Sequence, residues 1–368
     1  VETVKATNEN VFIVPRHYDS AMPAPTTTVP ATAPPAPTAS GVRIHDVARA
    51  AGVSLVTVSR AVNHPEQLAP ETLARVRTAI AALGYVPNLN AGSLATRRSG
   101  IVGAIVPTVA NAVFSETVEA LTQVLGAAGY QLLLGQSGYR DEDEAALVET
   151  FLGRRVEGLV LTGTGQSPAL LQRICAAGVA LVQTWDLDDA PADMQVGFDN
   201  RAAGAVVATH LLGRGHRRLG VIGAEEPRSR QRLEGFRQAA HATDATTRVE
   251  AALMAAPAQP DGVGAALQTL LDRLPDLQAV FCTNDLIAAA LLFECHRRGW
   301  AVPQRLAVVG MGDLALARAT WPRLTTLRIH GQRIGECAGQ MLRARLQGQP
   351  TAEPQVNVGV TLVERDSG

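Results

Sequence analysis

Lysine is all but missing from this 368-residue chain: Lys5 is the only one. That excludes a Walker-type phosphate loop, whose lysine must follow a glycine-rich turn. The four cysteines, Cys175, Cys282, Cys295 and Cys337, are widely spaced with no CxxC pair. Two of them lie in apolar or helical text, so buried thiols in a reducing cytoplasm are expected. No run of about 18 apolar residues occurs, which argues against a membrane span. A basic-then-apolar secretory pattern is missing from the opening residues, so a cytoplasmic location is expected. Neither HExxH nor G-x-S-x-G is present, and GTGQSPAL lacks the third glycine of a dinucleotide fingerprint. The eight histidines are scattered, His45 and His216 among them, and assemble no nucleophile, base and orienter. No enzyme, cofactor or metal site is expected.

What is present is globular. Hydrophobic residues make up 46% and charged residues 18%, and the length suggests two or three domains. The net charge of −1 hides an asymmetry. Between Arg43 and Ser99 seven arginines face only Asp46, Glu66 and Glu71, a balance of +4, whereas 24 basic and 28 acidic residues follow. A basic head on an acidic body is the pattern of a modular nucleic-acid binder.

Residues 1–41 read as a tail, because Met22–Ser40 is almost wholly Pro, Ala, Thr and Val and cannot bury enough apolar surface to fold. Residues 42–88 read as a small helical module. Ile44, Val47, Ala48 and Ala51 fall on one helical face. Gly52 supplies a left-handed turn and Ser54 a cap for a second helix, LVTVSRAVN, with Val53 and Val58 filling the corner. A third helix begins near Pro70, carries Leu73, Val76, Ile80 and Leu83 on one face, and stops at Gly84. This pattern reads as a helix-turn-helix. Its second helix presents Thr57, Ser59 and Arg60 outward, hydroxyls for phosphate and a guanidinium able to pair bidentately with guanine. Leu55 and Val56, at the helix start, are expected to be exposed where thymine methyls would lie. A plain helical hairpin is the alternative.

From Ile101 the text alternates apolar strand-like runs (IVGAIV, YQLLLG, GLVLTG, ALVQTW, RLGVIG, AVFCTN, LAVVGM) with helical segments. Runs without polar alternation indicate parallel strands buried on both faces. Such a domain carries its ligand site at the strands' C-terminal ends. Two more strands, LTTLRI and VNVGVTLV, flank a helix around Gly331–Leu346.

DVARAAGVSLVTVSRAVN and LGYVPNLNAGSLA resemble the DNA-binding head and hinge of the lac repressor family. GLVLTG, GRGHRRLGVIG, NDLIAAALL and LAVVGMGD follow the family order, so the resemblance runs from Arg43 to Val363. Within the family, NHPEQ, NAVFSE, VGFDN and FCTND with FEC are most similar to the gluconate-operon repressor branch. The resemblance implies a homodimer on near-palindromic operator DNA, with Leu55, Val56 and Arg60 reading bases. It also implies a hinge over 89–99, in which Asn88–Thr96 folds only on DNA and Leu94 wedges into the minor groove. Arg97 and Arg98 are phosphate contacts or solvated linker charge.

For residues 100–368 the family implies a two-lobed fold like a periplasmic sugar-binding protein, closing on a small-molecule effector. The expected lobes are 100–197 with 331–348, and 198–330 with 349–368. Effector candidates carried over are Asn111, Phe114, Trp185, Phe198, Asp199, Arg230, Arg232, Asn284 and Asp285. Each has an ordinary alternative: Asp199 and Asp285 as helix caps, Phe114 as core. Two departures stand out. Trp185 and Gly312 occupy positions where sugar-binding relatives carry acids, while Arg230 and Arg232 remain. That favours an anionic effector, a sugar acid such as gluconate or its phosphate. A neutral sugar or nucleobase-type corepressor is the alternative. A sugar-binding transport protein or sugar-metabolising enzyme is a different class, disfavoured by the helix-turn-helix.

Overall fold

The computed structural model describes residues 42–86, 98–349 and 353–368, and the chain divides into two compact units at the Pro87–Asn88 junction. The sequence expectations for the 1–41 tail, Asn88 and Leu94 fall outside the described residues.

The head is three helices, α1 (Ile44–Ala51), α2 (Leu55–Asn63) and α3 (Pro70–Leu83). Gly52 ends α1 at φ 63°, and the Val53 N–H donates back to the Ala48 carbonyl at 3.0 Å. Ser54 starts α2, its Oγ accepting from the Thr57 N–H at 3.2 Å. Replacing Ser54 with alanine should therefore cost about 1 kcal/mol of head stability. Thermal melts of the isolated head would read this as a drop of roughly 4–8 °C. The core is small: Val47, Val58 and Val76 are fully buried, with four alanines around them. Leu55 departs from the sequence expectation. It is half-buried and packs on this core, because the first turn of α2 lies against α1, while Val56 alone stands out at 59% exposure.

In the body, β1 (Ile101–Val106), α4 (Ser115–Ala127), β2 (Gln131–Gln136), α5 (Asp141–Gly153), β3 (Gly158–Thr162), α6 (Pro168–Ala176), β4 (Ala180–Thr184) and β5 (Met194–Gly197) build the first lobe. The second lobe follows: α7 (Asn200–Gly213), β6 (Arg218–Ala224), α8 (Pro227–Thr243), β7 (Arg248–Met254), α9 (Val263–Arg273), β8 (Ala279–Cys282), α10 (Asp285–Arg297), β9 (Ala307–Gly312), α11 (Ala315–Ala319) and β10 (Thr325–Ile329). Then α12 (Gly331–Leu346) and β11 (Gln355–Asn357) return to the first lobe, and β12 (Val360–Val363) to the second.

The first sheet has the order β11-β5-β4-β3-β1-β2 and is parallel throughout; the second is β12-β10-β9-β8-β6-β7, with β12 antiparallel. Central strands are buried on both faces, as in β4 and β8, because crossover helices cover each side.

Two strands carry no clear sequence signal. β5 is only four residues long, and β7 is an edge strand whose Arg248 and Glu250 dilute the apolar text. VNVGVTLV is not one strand either. Gly359 turns at φ 65°, its N–H bonded to Asn357 Oδ1, so β11 joins the first sheet and β12 the second. The boundary expected at 348 therefore moves, and β11 belongs to the first lobe. Of the cysteines, Cys282 and Cys295 are buried, but Cys337 is half-buried and Cys175, near the end of α6, is exposed.

Helices α7 and α8 cross at unusually close range. A Cβ on Gly204 would lie 1.9 Å from the Arg232 carbonyl, and one on Gly235 1.9 Å from that of Arg201. Only glycine permits this approach. It brings the first turns of α7 against the middle of α8, from Arg232 to Phe236, beside the cleft.

Candidate functional site

The C-terminal ends of the strands in both lobes face one cleft, with about 830 Å³ of space, part of it open to solvent. Thr108 beyond β1, Ala224 at the end of β6, Thr283 beyond β8 and Met311 in β9 all reach it.

One wall is aromatic. Phe114 and Trp185 meet edge to face with centroids 4.9 Å apart. Trp185 is held at φ 72°, and its N–H donates to the Val196 carbonyl at 3.0 Å. Gly197 makes room for that bend, since a Cβ there would sit 2.6 Å from the backbone of Asp186. A non-glycine residue in this left-handed region carries strain that the surrounding contacts must offset. Phe198 lies behind Trp185, centroids 6.3 Å apart, and is buried without lining the cleft.

The opposite wall comes from α8. Glu226 caps that helix: Oε1 accepts from the Ser229 N–H and hydroxyl, and Oε2 from the Arg228 N–H. Burial pushes its carboxyl up, but Arg228, Arg232 and the capping bonds outweigh that and leave it below the ordinary range. Arg232 is buried and braced. Its Nε donates to Asn200 Oδ1 at 2.8 Å and one terminal nitrogen to the Thr283 carbonyl at 3.4 Å. Burial brings it down to about 10, Glu226 resisting, so it stays a cation at neutral pH. Asp186, beside Trp185, accepts from Asn200 Nδ2 at 3.1 Å, and burial raises its carboxyl above the ordinary range.

Asn111 and Asn284 line the cleft from opposite lobes, and both are caps. Asn111 Oδ1 accepts from the Val113 N–H at 3.2 Å, and Asn284 Oδ1 from that of Ile287 at 2.8 Å. Five of the residues singled out from sequence thus gather here: Asn111, Phe114, Trp185, Arg232 and Asn284.

Phe198, Asp199, Arg230 and Asp285 do not line the cleft. Asp199 is an exposed cap of α7, accepting from the N–H groups of Arg201 and Ala202. Arg230 points outward and pairs with Glu225, because two residues along a helix turn a side chain to the far face. Asp285 is fully buried below the floor. Thr326 Oγ1 donates to it at 2.6 Å and the Leu314 N–H at 2.7 Å, and burial raises its carboxyl. Asp313, after Gly312, is tied to Arg328 and Arg365 and unavailable to a ligand.

Sequence reading missed Arg228, Glu226, Tyr139 and Asp186. The helical spacing of Arg228 to Arg232, one turn apart on a single face, is the signal that could have found the first. Among the described residues no group of three or more His, Cys, Asp or Glu is placed to hold a metal ion.

On the head, Thr57, Ser59 and Arg60 lie along α2 with Val56; Ser59 and Arg60 are exposed, while Thr57 is half-buried and bonded to Ser54. A family model for bacterial regulatory proteins of the lacI family matches residues 43–88, and one for a periplasmic binding protein-like domain matches residues 208–368. The chain is 36% identical over 325 residues to the HTH-type transcriptional regulator GntR of Pseudomonas aeruginosa, covering 88% of this chain and 95% of that protein. This chain belongs to the LacI family. It is a DNA-binding transcriptional regulator and not an enzyme.

GntR of Escherichia coli K12 is 32% identical over 321 residues, with 87% and 96% covered. A LacI-family regulator from Silicibacter pomeroyi superimposes with a TM-score of 0.82 at 30% identity, over 89% of this chain and 99% of that one. The lac repressor dimer bound to operator and an anti-inducer superimposes at 0.74 and 25% identity, covering 89% and 98%. Like other LacI-family regulators, this protein has operator DNA and a small-molecule effector as partners and works as a dimer. No helix among the described residues is long and apolar enough to cross a membrane.

Proposed function

We propose that this LacI-family regulator controls sugar-acid catabolic genes from the cytoplasm, and that its effector is a polyhydroxy acid such as gluconate or its phosphate. The observation that carries this reading is the charge of the cleft wall. Arg228 and Arg232 face it against one carboxylate, Glu226, whose oxygens are engaged in capping. A net positive, partly apolar cleft favours an anion with a carbon chain over a neutral sugar.

In this reading residues 42–88 are the operator-binding head, 89–99 a hinge, and 100–368 the effector and dimerisation unit. The effector acts by favouring one arrangement of the lobes, and operator affinity follows by linkage. A coupling of about 1–3 kcal/mol corresponds to roughly a 5- to 150-fold change in operator affinity.

Fluorescence anisotropy on a labelled palindrome from the DNA beside this gene, at fixed salt, tests the reading. Tight binding that shifts with gluconate supports it; tight binding indifferent to aldonates removes the effector assignment. Arg60 is assigned to base contact, with Val56, Thr57 and Ser59 along the same helix. Replacing Arg60 with alanine should weaken specific binding about 10- to 100-fold while leaving the head folded. Equal losses on specific and scrambled DNA would reassign it to phosphate.

A further inference from the structure

Resting on the sugar-acid reading, we propose that Arg228 binds the anionic end of the effector, and that Arg232 is a positioning residue. Both residues are only 7% exposed, but their bonding differs. Arg232 gives its Nε and one terminal nitrogen to Asn200 and the Thr283 carbonyl, a frame that ties α7 and α8 to the end of β8, and its other terminal nitrogen is left on the cleft side. The Arg228 guanidinium makes no hydrogen bond among the described residues. It has a 3.5 Å ion-pair contact with Glu226 and lies over Phe114, 5.8 Å from the ring centroid. A guanidinium holds five donors in a fixed fork, and the donors of Arg228 that Glu226 does not engage open to the cleft. A carboxylate or phosphate matches that fork bidentately.

The neighbours select in the same direction. A backbone N–H donates to the side-chain oxygen of Asn111 and of Asn284, so each presents its amide NH₂ group to the cleft. Neither NH₂ has a partner among the described residues. The groups that Arg228, Asn111 and Asn284 leave for a ligand are therefore donors, and the ligand end that complements them is rich in acceptors. Arg228 also lines an adjoining chamber that holds the carboxylates Asp141, Glu144 and Asp186, so the anion is placed on the Phe114 side of Arg228 and not in that chamber. The assigned ligand is a carboxylate or phosphate on a hydroxylated chain, its anion at Arg228 and its chain against Phe114 and Trp185.

Isothermal titration of the full-length protein with D-gluconate, 6-phosphogluconate and the neutral D-glucitol tests this. The wild type should prefer an acid over glucitol. Arg228→Gln should weaken acid binding about 100-fold or more, the loss expected on removing one partner of a buried charged pair, while changing glucitol binding little. Arg228→Lys keeps the charge but loses the fork, and should weaken acid binding about tenfold. It also stands in should the glutamine variant fail to fold in a thermal melt. Arg232→Gln should lower the melting temperature and weaken acid and glucitol alike, as expected of a brace. If either Arg228 variant binds the acids within threefold of wild type, this assignment is overturned and the sugar-acid reading survives. A wild type with no affinity for either acid overturns the sugar-acid reading itself and this assignment with it.

Discussion

Replacing Gly235 with valine is expected to lower the melting temperature of the effector unit by roughly 6–12 °C and to abolish effector binding. At this position even a Cβ would lie 1.9 Å from the Arg201 carbonyl oxygen and 2.5 Å from its carbon. Overpacking costs about 1–3 kcal/mol where side chains can shift aside. Here the obstacle is backbone, so about 3 kcal/mol is a minimum, and each kcal/mol is worth roughly 2–4 °C in a unit of this size. The functional loss follows from the same contact. Forcing α7 from α8 separates Asn200 from Arg232, whose 2.8 Å bond braces the charged wall of the cleft. Gly213, also in α7, is the control: a Cβ there meets nothing within 4 Å, so Gly213→Ala should leave the melt unchanged or slightly raised. A Gly235→Val protein melting within about 2 °C of wild type would contradict the close-crossing argument.

Replacing Val58 with aspartate should cut operator affinity by more than about 100-fold while leaving effector binding intact. Val58 is fully buried in a core of three valines and four alanines. An unpaired carboxylate there costs several kcal/mol. A module this small holds only about 3–5 kcal/mol of stability in total, so it should unfold. The effector unit is a separate compact unit with its own cores and should melt as before. Operator anisotropy and gluconate titration on one sample distinguish the two units. Near-wild-type operator affinity would mean that α2 is not packed on α1 through Val58.

Much of this was legible in the sequence, for local reasons. Gly52 and Gly84 announce left-handed helix ends, Ser54 a cap, and the spacing of Val47, Ala48 and Ala51 an amphipathic face. Each signal needs only residues within a turn or two of one another. The buried parallel strands announce themselves by runs such as IVGAIV, because a strand covered on both faces has no polar side to interrupt it. Strands at an edge, such as β7, or of four residues, such as β5, lack that imprint. The Gly359 break goes unread for a related reason. A glycine inside VNVGVTLV is compatible with a continuous strand, and only the separation of the two sheets makes it a crossing.

The site divides along the same line. That the strand ends would carry the ligand groups followed from the sequence, and the family resemblance supplied Asn111, Phe114, Trp185, Arg232 and Asn284 as candidates. Which of the charged residues face the cleft did not. Arg228, Arg230 and Arg232 are written within five residues of one another, yet one pairs outward with Glu225, one braces α7, and one keeps an open fork. Asp285 and Asp313 look alike as strand-end acids, but both are consumed by partners from distant segments. The sequence by itself determined the helix-turn-helix head and the alternating α/β body, because these rest on local periodicity and turn chemistry, while its motifs carried the resemblance to the family. Tertiary structure alone decided which donors remain free for a ligand, because a buried group's availability depends on every neighbour that long-range packing brings to it.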